Sequence, residues 1–87
     1  MDASTKLQML KIDLGITTDA YDNRLAEYLT YSADALETEG ITPANESDDN
    51  LIVMYAAWLW RKRDTGEGMP RMLRWMINNR LFTEKVQ

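Results

Sequence analysis

Ten consecutive residues, LIVMYAAWLW from Leu51 to Trp60, carry no formal charge. Wound as a helix, the run puts Leu51, Ile52, Tyr55, Trp58 and Leu59 on one face and Val53, Ala56, Ala57 and Trp60 on the opposite one. A helix that is apolar nearly all round has to be covered on every side. The run is about half the 20 residues that a membrane-spanning helix needs, so lipid is not the expected cover, and a soluble chain is expected. In a chain of 87 residues two covers remain: the helix lies at the centre of its own subunit, or a neighbouring subunit completes its shell.

Around this run, helical spacing recurs and strand-like alternation is scarce. The reading is an all-α compact bundle of about four helices, over residues 4–14, 18–39, 48–64 and 70–81, in a single domain of residues 1–87. Leu7, Leu10 and Leu14 form a stripe on the first helix, and Gly15 is its stop. The long second helix, capped by Thr17 or Thr18, places Tyr21, Leu25, Tyr28, Leu29, Ser32 and Leu36 on one face and ends at Gly40. The segment ITPANESDDN reads as a loop leading to a cap at Asp48 or Asp49. Acids at the start of the third helix and Arg61, Lys62 and Arg63 at its end both suit the helix dipole. Pro70 fits the first position of the fourth helix, whose core stripe is Met69, Leu73, Met76, Ile77 and Leu81.

The chain has no cysteine and no histidine. Disulfides, the usual zinc sites, thiolate nucleophiles and histidine general bases are thereby excluded. The acids of ITPANESDDN lack the spacing and the glycine of a calcium loop. No catalytic, cofactor or metal residue is expected, and the chain is not read as an enzyme. The N-terminal MDASTKLQMLKIDLG, with Lys6, Lys11 and Asp13 among its leucines, reads as a helix and not as a signal peptide. Charge is uneven: residues 1–60 hold three basic and eleven acidic side chains, residues 61–87 seven basic and three acidic. Such polarity suits nucleic acid, or copies that match plus against minus.

Those charges gather in WLWRKRDTGEGMPRMLRW, Trp58–Trp75, which holds all three tryptophans and five of the ten basic residues. Gly66 and Gly68 read as a turn, since no strand precedes them and no phosphate-loop lysine follows. Trp58 is assigned to the core. Trp60 and Trp75 fall off the core stripes, and with Val53 and Tyr31 they form the candidate subunit interface; intramolecular packing is the competing reading for the two tryptophans. Arg61, Lys62, Arg63, Arg71 and Arg74 form the candidate basic cluster, for an interface or for DNA. With Arg80 they flank a junction similar to a helix-turn-helix, although DTGEGM is longer than the usual connection.

The order of these features resembles the head-tail connector proteins of tailed phages, small all-α adaptors related to the HK97-type connector. LKIDLGITTDAYDNRLAEYLTYSADALETEG is similar to the family's opening of leucine, short stop, isoleucine, threonine, acids and long helix. YAAWLWRKRD resembles its aromatic segment with a charged close, and MPRMLRWMINNR its proline-led final helix. The likeness spans residues 5–82. In place of the family's aromatic-asparagine-arginine-glutamate corner, this chain has the more basic Arg61, Lys62, Arg63 and Asp64. The resemblance implies a non-enzymatic neck protein: copies form a ring beneath the portal, extend the DNA channel and receive the next neck or tail-completion protein. Its implied place is the virion neck, reached through the host bacterial cytoplasm, with non-specific DNA contact in the channel and no membrane. The alternative is a small helical DNA-binding module, such as a packaging or regulatory subunit.

Overall fold

Local signals set the limits of each helix in the computed structural model of the protein, which describes residues 1–85; the last two residues of the expected 1–87 domain lie outside them. Helix α1 (Ala3–Leu14) starts where the Asp2 side chain accepts a hydrogen bond from the Thr5 N–H. It stops at Gly15, whose φ of 71° is open to glycine and costly for other residues. Helix α2 (Asp22–Glu39) begins later than position 18. Residues 19–21 form a turn instead, in which the Asp22 N–H donates to the Asp19 carbonyl at 3.2 Å. The Lys11 ammonium reaches both Asp22 Oδ1, at 2.9 Å, and Asp19 Oδ1, at 3.0 Å, and ties this turn to α1. These contacts, Asp22 before Asp19, hold the Lys11 ammonium above the ordinary lysine pKa.

Helix α3 (Glu46–Thr65) starts two residues before the expected 48 because Asn45, not an aspartate, caps it. Asn45 Oδ1 accepts from the Asp48 N–H at 3.0 Å, while Asp48 Oδ2 accepts from the Ala44 N–H at 2.9 Å, an arrangement close to a capping box. Helix α4 (Arg71–Lys85) runs past the expected end at 81. An i,i+4 pair between Arg80 and Glu84, at 2.7 Å, supports the extra turn. Pro70 stands just outside, its carbonyl accepting from the Arg74 N–H at 3.1 Å.

The four helices make an all-α bundle with α3 at its centre. Helices α1 and α2 pack on α3 and on each other, whereas α4 approaches closely only α3. The core is drawn from both faces of α3, with Leu51, Ile52, Val53, Ala56 and Ala57 all buried. Around them close Leu10 from α1, Leu25, Leu29 and Leu36 from α2, and Leu73 and Ile77 from α4. Burial of one such side chain stabilises the fold by about 1.5–3 kcal/mol. The first of the two covers therefore applies to much of this run: its own subunit buries these five residues and half-buries Met54, Tyr55, Trp58, Leu59 and Trp60. Ile41, expected in a loop, is fully buried in the same core. Gly40 and Ile41 donate to the carbonyls of Glu37 and Leu36, a glycine-led helix end that turns the next residue inward.

Polar clasps fix α4. Arg80 Nε donates to Asp48 Oδ1 at 2.7 Å and an Arg80 amine donates to Asp48 Oδ2 at 3.2 Å, a two-point contact with an aspartate that is 1% exposed. Burial pushes the Asp48 carboxyl up, but the Arg80 guanidinium and the backbone N–H groups of Ala44 and Asn45 outweigh it and hold the group below the ordinary aspartate range. A second clasp joins Arg74 to Glu39 at 2.8 Å.

Two outcomes are expected. Gly40→Ala places a Cβ at 3.2 Å from Leu81 Cδ2 with φ at 111°, so it should lower unfolding free energy by about 1–3 kcal/mol in urea titration. Gly15→Ala, where a Cβ meets nothing within 4 Å, should cost less. Asp48→Ala leaves Arg80 without its main partner and should cost about 3 kcal/mol, part of which Asp48→Leu combined with Arg80→Met recovers. Because the Asp48 pKa is depressed in the fold, its contribution is present above about pH 3.9 and is lost as pH falls through the lower folded value; the acid limb of a stability profile should flatten in Asp48→Asn.

Candidate interaction surface

The two tryptophans that fell off the core stripes have different surroundings. Trp60, near the end of α3, is half-buried between Tyr28 of α2 and Tyr21 of the turn before it. Its ring stands edge-to-face with Tyr28, centroids 5.4 Å apart, and with Tyr21 at 5.7 Å. The Arg63 guanidinium covers it, 3.9 Å from the centroid. For Trp60 the competing reading, packing within the subunit, describes its contacts. Tyr31 continues the chain of rings, 6.2 Å from Tyr28, and stays 51% exposed. Val53 is 1% exposed in the core, so it offers nothing to a partner, and its place as an interface residue is corrected. The helical wheel was right to put Val53 opposite Leu51; what lies opposite is another helix of the same subunit.

The basic corner is likewise engaged from within. Lys62 Nζ sits 4.7 Å over the ring of Trp58, which packs edge-to-face on Tyr55 at 5.4 Å and donates its Nε1–H to the Glu67 carbonyl at 3.2 Å. Trp58 is thus half-buried at a boundary and not deep in the core. An Arg61 amine donates to the Asp13 carbonyl at 3.3 Å, joining α3 to the end of α1. Arg74 and Arg80 are bound to Glu39 and Asp48. Much of the positive C-terminal segment therefore folds onto the acidic segment of its own chain. Arg71 differs: it is exposed, and no ion pair holds it among the described residues. As a recognition helix α4 would present Arg71 without Arg74 fully free, a thin basis for reading base edges.

What stands out instead is the outer face of α4. Met72, Trp75 and Phe82 are 63%, 62% and 67% exposed and recur at helical spacing, opposite the buried Leu73 and Ile77. Trp75 belongs to the expected interface; Met72 and Phe82 were not anticipated. Phe82 lies one residue past the expected helix end at Leu81, and Met72 lies outside the core stripe of α4. Met72 and Trp75 adjoin, and Phe82 lies two turns further on beyond the exposed Asn78 and Asn79; exposed apolar side chains gathered on one face of a small domain mark a contact site more often than a scatter of single side chains does.

Among the described residues no group of three or more acids is placed to hold a metal ion. No described helix is long and apolar enough to cross a membrane. Comparison with family models, with curated proteins and with solved structures gives no match.

The difference between the tryptophans is measurable. Trp60→Ala should cost about 2 kcal/mol in thermal or urea unfolding, since it removes a half-buried ring and its cation. Trp75→Ala should stay within about 0.5 kcal/mol of the parent.

Proposed function

We propose that this chain is a structural, non-enzymatic neck protein of a tailed phage, a head-tail connector whose copies assemble as a ring beneath the portal. The ordered resemblance over residues 5–82 carries the reading: short helix, isoleucine-threonine turn, long acidic helix, apolar helix with aromatic and basic close, proline-led last helix. The exposed Met72, Trp75 and Phe82 stripe supports it, because an adaptor needs a surface that is apolar yet tolerable in the free subunit. A ring further requires unlike faces on one subunit, which the acidic α2 and the α4 stripe beside Arg71 supply. In this reading the protein meets the portal on one side and the next neck component on the other, in the virion neck after assembly in the host cytoplasm. Any DNA contact in the channel is electrostatic and independent of sequence.

The DNA-binding module keeps less support, since Arg74 and Arg80 are paired with acids of their own chain, Lys62 and Arg63 lie over tryptophan rings and Arg61 donates to a carbonyl. The deciding experiment mixes the purified protein with the portal protein encoded in the same genome and images the product by negative-stain electron microscopy. An added ring on the portal is expected, together with the protein's presence in purified virions. Absence from virions and failure to bind the portal would together overturn the reading.

A further inference from the structure

We propose that the outer face of α4 docks in the groove between α1 and α2 of a second copy of this chain, head to tail. The inference names the subunit contact of the ring and rests on that reading. The groove encloses about 460 Å³, and its floor is apolar: Leu7 from α1 and Ala26, Leu29 and Ala33 from α2. Its small side chains leave room for a ring, and the volume lies within the roughly 300–1,000 Å³ of pockets that hold a bound group. No described residue of the subunit fills it. The α4 stripe is the matching protrusion, with Trp75 at its centre between Met72 and Phe82.

Charge selects the pairing. Asp34 lines the groove, Glu37 stands one turn further along the same side of α2, and both are exposed without an ion pair among the described residues. Arg71, beside Trp75 on α4, is an exposed cation with none either. Lys6 also lines the groove, so the rim keeps one positive charge of its own against these two acids. In the groove Arg71 is set against Asp34, whereas the outer face of another α4 offers it no unpaired acid among the described residues. Groove and stripe share no residue, so the contact is heterologous: every open assembly keeps one free groove at one end and one free stripe at the other, and growth continues until the arc closes.

The contact is weak between isolated subunits. Two aromatic side chains that are two-thirds exposed supply roughly 250 Å², against about 800 Å² per partner in a standard stable interface. Portal binding, by holding copies side by side, would raise their effective concentration.

The test uses two variants at exposed positions, Trp75→Glu on the stripe and Ala26→Arg in the groove, each checked for unchanged thermal unfolding. In sedimentation velocity from about 10 µM to about 1 mM, the parent should show concentration-dependent association, and each variant alone should associate at least about tenfold more weakly. An equimolar mixture of the two should recover association through the one intact stripe and the one intact groove, and should stop at a heterodimer. Raised salt should weaken both the parent contact and the heterodimer. A parent that stays monomeric at about 1 mM, a mixture that does not pair, or an Ala26→Arg variant that associates like the parent would overturn the proposal. Portal binding separates the two claims: a ring on the portal with no heterodimer in the mixture removes this contact and keeps the connector, while a heterodimer without portal binding does the reverse.

Discussion

Everything in this fold follows from the need to keep one helix dry. Residues 51–60 of α3 are apolar in all directions, so no arrangement of two layers suffices; three other helices must surround it. Helices α1 and α2 form one wall and α4 another, and residues from both sides of α3 enter the same core. The cost falls on α4. Among the described residues it is the single helix on its side, so it turns to solvent an outer face that no other described element protects.

Helix identity was legible from spacing, and helix ends were legible where glycine made the decision, as at Gly15 and Gly40. Starts were less so. The second helix begins at Asp22 because Lys11 gathers Asp19 and Asp22, and the third begins at Glu46 because Asn45 and Asp48 cap it in concert. Linear charge counts missed the two clasps of α4, whose partners lie 32 and 35 residues apart. Periodicity reports which face of a helix is apolar and is silent about which carboxylate meets which guanidinium.

The same limit shaped the candidate surface. Sequence placed Trp60, Trp75 and Val53 together because all three leave the core stripe of their own helix, yet leaving one stripe is not exposure. For α3, central in the bundle, the second face is another core, which claims Val53 and half of Trp60. For α4, peripheral, the second face is surface, and there Trp75 stands with Met72 and Phe82. The basic cluster divides in a similar way: Lys62 and Arg63 lie on aromatic rings, Arg61 donates to a carbonyl, Arg74 is paired with an acid, and Arg71 has none of these contacts among the described residues.

Helix α4 is apolar on two sides, and on hydrophobicity alone it could lie on α3 either way round. Turned over, with Trp75, Met72 and Phe82 inward, it would bury larger side chains than Leu73 and Ile77 do. It would also carry Arg80 away from Asp48, leaving a carboxylate that is 1% exposed without its counter-charge. The Asp48–Arg80 pair thus settles which side of an ambiguous helix is shown to the world, and this ion pair, which lines one cavity with Trp75, decides that there is a sticky surface at all.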